Sequence, residues 1–296
     1  MKNVNADNKR KNRVEEPSLT VTRNVVRIFL IIWAILIIFP LLWAIMSSLK
    51  TSAEFMKSAW AFPKQLQWVN YKTAWEKANF SKYFANSLFL SAGTVVLTIL
   101  FTTASSYVIG KFIHPAIKAI EIFYSIFMMV PQMLLLLPLY QFLRKLGMIG
   151  SESGSVLFTL MLVNALQGVP FYVFLITPFV RGLNDSILEA AEIDGANQFQ
   201  TFITLVVPMI VPAIFMVGLL SFVGIWNEYV MSITYIKNAD YYTLSAGINN
   251  LMSNNQYGYD VKFAALIIAM VPILIVYAIF QKPLQNGLSS SDGVKG

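Results

Sequence analysis

The chain has 296 residues, of which 56% are hydrophobic and only 12% are charged. Soluble domains carry about 25% charged residues, so this composition indicates an integral membrane protein. The absence of cysteine excludes disulfides, thiolate catalysis and cysteine-ligated metal, and the single histidine, His114, excludes histidine-rich metal sites and His-dependent nucleophilic triads. The net charge is +7, but the basic residues do not form a groove with interleaved aromatic residues. We therefore expect membrane lipid and no nucleic acid as a partner.

Long windows without Asp, Glu, Lys or Arg locate the predicted membrane spans. A helix that crosses the bilayer needs roughly 20 apolar residues, and a charge at its centre costs about 2.5 to 3.5 kcal/mol. We therefore predict an all-α integral membrane protein with six transmembrane helices. The six windows that are both charge-free and strongly apolar are Ile28–Leu49, Tyr83–Gly110, Ile122–Leu143, Ser153–Val180, Gly195–Asn227 and Phe263–Gln281.

Two of the charge-free windows need a finer interpretation. The window that begins at Gly195 exceeds one span, so we expect a short interfacial helix first and the span itself near Leu205–Val223. Prolines within or near the spans predict kinked helices packed as a bundle. A further charge-free window, Tyr241–Tyr259, is rich in asparagine and is predicted to be a polar loop.

Basic residues before the first span predict the orientation. Lys9, Arg10, Lys11 and Arg13 lie there and favour a cytoplasmic N-terminus, although lysines in the next loop nearly balance the charge bias. Six spans then place the C-terminus in the cytoplasm as well. The predicted segments are an N-terminal tail (1–24), a transmembrane domain (25–283) with an inner loop (184–204) and outer loops (50–82 and 228–262), and a C-terminal tail (284–296).

The inner loop between the fourth and fifth spans is predicted to contain a helix, a break and a second helix. Ser186 and Glu189 fit a capping box at a helix start, and Asp194-Gly195 supplies the break because glycine accepts a positive φ. An acid at a helix start is common, so Glu189 alone favours an ordinary capping role, and only the register with Ala190, Ala191 and Asp194-Gly195 favours a functional one. Small side chains that would let another surface approach the backbone surround the break: Ala190, Ala191 and Ala196.

This pattern, E-A-A-x-x-D-G-A followed by Phe and Pro, resembles the coupling motif, or EAA loop, of ABC importer permeases. In that family two short helices dock into a groove on the cytoplasmic ATPase and transmit its closure to the spans. Val207-Pro208 stands where the family usually has Leu-Pro, a conservative departure. The resemblance assigns ATPase coupling to Glu189, Ala190, Ala191, Asp194, Gly195, Ala196 and Phe202.

Other segments resemble the smaller, six-span permease of maltose-type carbohydrate importers. Trp226–Tyr229 is similar to that subfamily's W-N-E-aromatic pattern, and Pro40–Trp43, Asn86–Leu88 and Lys145–Gly147 are similar to its other spans. The resemblance implies the type I ABC importer permease fold with a cytoplasmic coupling-helix loop. It further implies transport of a sugar or oligosaccharide across the cytoplasmic membrane by ATP-driven alternating access.

The same resemblance implies the partners of the chain. They are a second homologous permease subunit, two cytoplasmic ATPase subunits and an extracytoplasmic solute-binding protein. The sequence contains no G-x-x-x-x-G-K-[ST] phosphate loop. We therefore expect ATP and magnesium on the partner ATPase, and no catalytic residue, metal or cofactor in this chain, which is not itself an enzyme.

Polar residues in and near the spans are candidates for solute contact. Asn164 and Gln167 lie three apart on one helical face, and interhelical hydrogen bonding explains them equally well. The candidates for the translocation path are Asn164, Gln167, Gln132, Asn227 and Tyr229. The resemblance implies that the outer segment before the last span touches the binding protein, and the candidates there are Asn249, Asn250, Asn254 and Asn255.

Two other classes of function compete with this interpretation. A secondary transporter or channel commonly places ionisable residues in the membrane, and the six windows contain no Asp, Glu, Lys or Arg. An intramembrane enzyme would need a base, whereas His114 lies in a predicted loop and no carboxylate lies in a span. Both alternatives are therefore less favoured than an importer subunit.

Overall fold

The computed structural model describes residues 17–150 and 155–291, with side chains described for 22–150 and 155–281. Within these ranges the chain is helical and contains no β-strand. The first seven helices are α1 (Pro17–Ser48), α2 (Ser52–Lys57), α3 (Val69–Lys77), α4 (Phe80–Lys111), α5 (Pro115–Met128), α6 (Gln132–Lys145) and α7 (Ser155–Arg181). The next seven are α8 (Asp185–Ile193), α9 (Gln198–Thr201), α10 (Val207–Met209), α11 (Val211–Trp226), α12 (Val230–Tyr235), α13 (Leu244–Ser253) and α14 (Tyr259–Ser291).

The predicted terminal tails lie partly outside the described residues. Residues 1–16 of the N-terminal tail are not described, and the described part of α1 runs from Pro17. At the other end α14 continues to Ser291, while residues 292–296 lie outside the described part.

The six predicted windows correspond to four long helices and two bent pairs in the described part of the chain. The segments of single helices that are long and apolar enough to cross a membrane are Thr22–Ser48, Phe80–Lys111, Ser155–Arg181 and Tyr259–Gln281. The bent pairs are Pro115–Met128 with Gln132–Lys145 and Gln198–Met209 with Val211–Trp226. The architecture is therefore a bundle with up to six membrane spans.

The third window is not one continuous helix. α5 and α6 meet at an angle of 101°, and Pro131 occupies the N-cap position of α6 with φ −61° and ψ 119°. Proline cannot donate the backbone hydrogen bond that would continue α5, and its ring disfavours helical geometry in the preceding residue. The fifth window bends by 76° at Ile210, so the straight part of that span begins at Val211.

The centre of the bundle is α4, which packs most extensively against α7 and α11. Small hydroxyl side chains let membrane helices approach closely. The buried face of α4 carries a row of them: Ser87, Ser91, Thr94, Thr98, Thr102 and Ser106.

Gly110 provides a direct test of this close packing. A Cβ added there would lie 2.7 Å from Val180 Cγ1 on α7. We expect Gly110→Ala to lower the melting temperature of the detergent-solubilised protein by several degrees, because overpacking costs about 1 to 3 kcal/mol. Gly224→Ala is the matched control, since Gly224 is also helical but has no atom within 4 Å of its added Cβ. Equal melting temperatures for both variants would contradict the packing argument.

The predicted polar loop at 241–259 contains a helix, so that prediction was wrong. Thr243 caps α13 by accepting a hydrogen bond from the Ala246 N–H. Leu244, Gly247 and Leu251 share its buried face, and this spacing of three and four residues is that of an amphipathic helix. The asparagines that made the window polar lie on and after the solvent-facing side of α13.

The short helices α2 and α3 are tied to the long helices by hydrogen bonds from several side chains. Ser52 donates to the Asp260 carboxylate from both its backbone N–H and its hydroxyl, at 3.2 and 2.7 Å. Asn70 donates to the carbonyls of Ser48 and Lys50 at 2.8 Å each.

Lys50 is only 1% exposed. Burial lowers its pKa, and the Glu54 carboxylate partly offsets this effect.

Candidate coupling surface

The first short helix of the inner loop begins one residue after Asn184. The Asn184 side chain accepts a hydrogen bond from the Ser186 N–H at 3.1 Å and caps α8. The predicted capping box of Ser186 and Glu189 was therefore wrong, because Ser186 lies inside the first turn. Asparagine caps helices as well as serine does, and Glu189 is left exposed on the helix surface.

The predicted break at Asp194-Gly195 is confirmed by its geometry. Gly195 has φ +85°, its N–H bonds to the Glu192 carbonyl, and the Ala196 N–H bonds to the Ala191 carbonyl at 2.9 Å. These two bonds form a Schellman motif, which satisfies the last carbonyls of α8. A left-handed backbone conformation is required at this position, and glycine adopts that conformation without steric cost.

The second short helix starts directly after this turn. Asn197 accepts from the Gln200 N–H, and the Gln200 side chain accepts from the Asn197 N–H, both at 2.9 Å. This is a capping box, so the turn is fixed from both sides. This capping box was not predicted, although N-x-x-Q after a glycine break was the available signal. A π-helical turn, Phe202–Val206, then leads into α10.

The turn between α8 and α9 carries large exposed apolar side chains. Ile193 is 86% exposed and Phe199 is 73% exposed. These two residues were also missed, because a sequence alone does not distinguish a buried apolar residue from an exposed one. We call the exposed set the coupling surface: Glu189, Ala190, Ile193, Asp194, Gly195 and Phe199.

The remaining predicted coupling residues face the bundle. Ala191 is buried, and Ala196 and Phe202 are half-buried. Phe202 packs with Leu188 against a buried apolar cluster that includes Tyr107 and Val180. The predicted coupling residues are thus divided into two groups: those of the coupling surface are exposed, whereas Ala191, Ala196 and Phe202 are buried or half-buried.

Tyr107 on α4 supports the second short helix. Its hydroxyl donates to Gln198 Oε1 at 2.7 Å, and its ring stacks on Phe202 with a centroid distance of 5.2 Å and an interplanar angle of 28°. Both contacts connect the segment after Gly195 to the same turn of α4.

Ion pairs support the first short helix. Lys111 at the end of α4 donates to Asp185 Oδ1 at 2.6 Å and to the Leu183 carbonyl at 2.7 Å, and its side chain is only 9% exposed. Arg181 at the end of α7 donates to the Glu121 carboxylate of α5 at 2.8 Å. The inner loop is therefore anchored to α4 at two points, and α7 is joined to α5 just before it.

The structure brings together two of the five predicted path residues. Gln132 and Gln167 line one open cleft of about 460 Å³ at the bend between α5 and α6, with Phe127 and Phe171 in its walls. Asn164 does not line this cleft; its amide donates to the carbonyl of Leu160 in its own helix at 2.9 Å.

The other predicted polar residues lie at helix ends and on and after α13. Asn227 ends α11 and donates to the Val223 carbonyl, while Tyr229 precedes α12 and is 37% exposed. No group of three or more His, Cys, Asp or Glu residues that could hold a metal occurs within 17–150 and 155–291. The predicted binding-protein contacts lie on α13 and the turn after it, with Asn249, Asn250 and Asn255 exposed and Asn254 half-buried.

Comparison with known proteins identifies the family. Residues 115–290 match the family described as "Binding-protein-dependent transport system inner membrane component". The chain is 30% identical over 262 residues to the diacetylchitobiose uptake system permease protein NgcG of Streptomyces coelicolor, a match that covers 88% of this chain and 85% of that protein. It is 28% identical over 284 residues to the arabinooligosaccharides transport system permease protein AraQ of Bacillus subtilis, covering 95% and 98% of the two chains.

A solved structure shows the same fold. The crystal structure of a bacterial ABC transporter involved in the import of the acidic polysaccharide alginate contains a chain that superposes with a TM-score of 0.79 at 20% identity, covering 92% of this chain and 99% of that chain. The predicted all-α importer permease fold is thereby confirmed. The chain belongs to the family of binding-protein-dependent transport system inner membrane components, the permease subunits of ABC importers.

Proposed function

We propose that this chain is one of two permease subunits of an ATP-driven importer that carries an oligosaccharide across the cytoplasmic membrane. A second homologous permease pairs with it, two ATPase subunits bind its cytoplasmic side, and an extracytoplasmic binding protein delivers the solute. Membership of the family supports import. The names of two relatives, which specify diacetylchitobiose and arabinooligosaccharides, support the substrate class.

The single observation that carries this proposal is the coupling surface. Ile193 and Phe199 are large apolar side chains held almost fully exposed beside a turn that the Schellman motif and a capping box make rigid. A fixed apolar protrusion of this kind is typical of a docking surface. Its occupant in this proposal is the cytoplasmic ATPase, so the surface and both chain termini lie on the cytoplasmic side.

The energy for transport comes from that partner in this proposal. The chain has no G-x-x-x-x-G-K-[ST] phosphate loop, so ATP and magnesium bind to the ATPase subunits. This chain converts the movement of those subunits into a change of its own helix packing and carries out no chemical step.

The contacts of α4 provide the route for that movement. A displacement of α8 is transmitted to α4 through the Lys111 ion pair, and a displacement of α9 is transmitted to α4 through the Tyr107 hydrogen bond. Because α4 packs along both α7 and α11, its displacement repacks the centre of the bundle. Closely packed helices transmit such a displacement as rigid bodies and do not absorb it locally.

The cleft at the α5–α6 bend is the proposed solute-facing part of this chain. Gln132 and Gln167 present amide donors and acceptors suited to sugar hydroxyls. Phe127 and Phe171 in the same cleft provide apolar faces for a sugar ring.

We expect the double substitution Gln132→Ala and Gln167→Ala to reduce oligosaccharide uptake about thirtyfold, because two lost hydrogen bonds are worth roughly 1 kcal/mol each and about 1.4 kcal/mol corresponds to a factor of ten. ATP hydrolysis without solute should be unchanged, since neither residue lies near the coupling surface. Gln281→Ala is the matched control, because the Gln281 side chain bonds only to its own helix, at Ala278. Uptake that is equal in the double variant and the control would contradict the assignment of this cleft.

Reconstitution tests the proposed function as a whole. Proteoliposomes that contain this chain, the sister permease, the ATPase and the binding protein are expected to accumulate labelled chito- or arabino-oligosaccharide only when ATP is present. Omission of the ATPase should abolish uptake. Solute accumulation by this chain alone, driven by an ion gradient, would contradict the proposal and favour a secondary transporter.

A further inference from the structure

The segment between α2 and α3 exposes an unusual number of large apolar side chains. We call Ser58–Trp68 the outer aromatic segment. Within it Trp60 is 65% exposed, Phe62 is 86% exposed, Leu66 is 57% exposed and Trp68 is 64% exposed. Contiguous apolar exposure of this kind marks a surface that is covered by a partner or by lipid.

The contacts of Trp60 place this segment alongside the C-terminal half of α1. The Trp60 ring stacks on Phe39 at a centroid distance of 5.9 Å and lies 5.4 Å from the ring of Trp43. Phe39 precedes the last residue of α1, Ser48, by about 14 Å at the rise of 1.5 Å per residue. The chain therefore leaves α1 and folds back beside its outer half.

Two hydrogen bonds hold the segment in this position. Trp43 Nε1 donates to the Ala59 carbonyl at 3.1 Å, and Lys50 Nζ donates to the same carbonyl at 2.8 Å. Both donors come from α1 and the residues directly after it, so the exposed aromatic side chains are held at a defined depth.

The backbone of the segment restricts it to the boundary of the bilayer. Ser58–Trp68 contains no helix or strand, and lipid-exposed irregular backbone is not tolerated in the hydrocarbon core because its polar groups lack partners. Tryptophan is enriched in the interfacial zone, where its ring is accommodated and water remains available. The segment therefore fits the interface and not the core of the bilayer.

The charge pattern around the segment matches phospholipid headgroups. From Phe55 to Trp75 the sequence contains three lysines, Lys57, Lys64 and Lys72, and no Asp or Glu; the flanking acids are Glu54, which accepts a hydrogen bond from the Lys64 N–H at 3.3 Å, and Glu76. All three lysines are exposed at the protein surface. Aromatic side chains combined with basic residues are the pattern of a protein surface that contacts anionic lipid.

We propose that the outer aromatic segment is a membrane anchor that inserts Trp60 and Phe62 into the headgroup–acyl boundary of the outer leaflet, with Lys57 and Lys64 at the level of the lipid phosphates. The proposal rests on the orientation given under the proposed function, in which α2 lies outside. Phe55, at the start of this region, also packs against Phe263 of α14. The anchor thus fixes the outer ends of α1 and α14 relative to the lipid.

Spin labels on single cysteines test this placement, because the chain has no cysteine of its own. The experiment uses the transporter assembled with cysteine-free sister permease and ATPase subunits, in vesicles of phosphatidylethanolamine and phosphatidylglycerol, and omits the binding protein because Asn255 is one of its predicted contacts. A label at Phe62→Cys is expected to collide readily with oxygen, which concentrates in lipid, and poorly with a water-soluble nickel chelate. The control label at Asn255→Cys, in the exposed turn after α13, is expected to show the reverse.

Two other outcomes at Phe62→Cys would contradict the proposed membrane anchor. Strong nickel access at Phe62→Cys would place the segment in water, and low access to both reagents would place it against the sister permease. Impermeant maleimide applied from outside to Asn255→Cys checks the orientation separately. If that reagent fails to reach Asn255→Cys, the proposed topology is wrong, whereas a labelled Asn255→Cys with a water-exposed Phe62→Cys rejects the anchor alone.

Discussion

The substitution Gly195→Asn is expected to lower solute uptake by the assembled transporter at least about tenfold, while the chain still inserts and assembles. Asparagine tolerates a positive φ, so the turn between α8 and α9 is kept. No other atom lies within 4 Å of a Cβ built at Gly195, so within the described chain the new side chain meets open space. A docked partner would meet it directly, and a disrupted interface centre costs about 2 kcal/mol or more. Uptake and solute-stimulated ATP hydrolysis in proteoliposomes measure the effect.

Gly147→Asn is the matched control for this variant. Gly147 also has a positive φ, of +70°, and also has no atom within 4 Å of its added Cβ. It lies after α6, away from the coupling surface, so uptake should remain close to that of the wild type. Wild-type coupling in Gly195→Asn would mean that the turn has no partner and would remove the basis of the mechanism.

Lys111→Glu is expected to reduce uptake by a similar factor through a different cause. The substitution brings a second carboxylate towards Asp185 and removes the donor from the Leu183 carbonyl. An unsatisfied buried group costs about 1 to 3 kcal/mol, and the side chain of Lys111 is only 9% exposed. We expect ATP hydrolysis to continue with weaker stimulation by solute, because α8 can still dock but has lost its own tether to α4, while the Tyr107 contact of α9 remains. Parallel uptake and ATPase assays make this distinction.

Lys82→Glu is the matched control for Lys111→Glu. Lys82 forms an ion pair of the same length, 2.6 Å, with Asp240 at the outer end of α4, but both side chains are largely exposed. Exposed pairs contribute about 0 to 1 kcal/mol, so coupling should be little changed. Partial recovery of solute stimulation in the swap of Lys111→Glu with Asp185→Lys would support the tether, and equal losses in the Lys111 and Lys82 variants would contradict it.

The membrane segments and the coupling turn were predictable because local rules determine them. A charge inside a span is costly wherever the helix packs, so the charge-free windows coincide with the four long apolar helices and the two bent pairs of the described residues. The Asp194-Gly195 break was predictable for the same kind of reason, since glycine is the residue that accepts a left-handed helix end. Neighbouring polar residues compete for the capping position, so the exact start of the helix was not predicted. Asn184 caps α8 in place of the predicted Ser186.

The support of the coupling surface could not be predicted, because it depends on contacts between distant parts of the chain. Tyr107 and Gln198 are 91 residues apart, and Lys111 and Asp185 are 74 residues apart. The meeting of Gln132 and Gln167 depends in the same way on the 101° bend at Pro131. A proline signals that a helix will break, but the direction of the bend is set by the helices that pack around it.

Labelling of Ile193→Cys with a membrane-impermeant maleimide tests the central claim most directly. The background chain has no cysteine, and Ile193 is 86% exposed beside the Gly195 turn. We predict rapid labelling from the cytoplasmic side of vesicles that lack the ATPase subunits, and protection once those subunits are bound. Labelling from the outer side, or labelling that is unchanged by the ATPase, would contradict the assignment of this surface as the site where ATP-driven movement enters the chain.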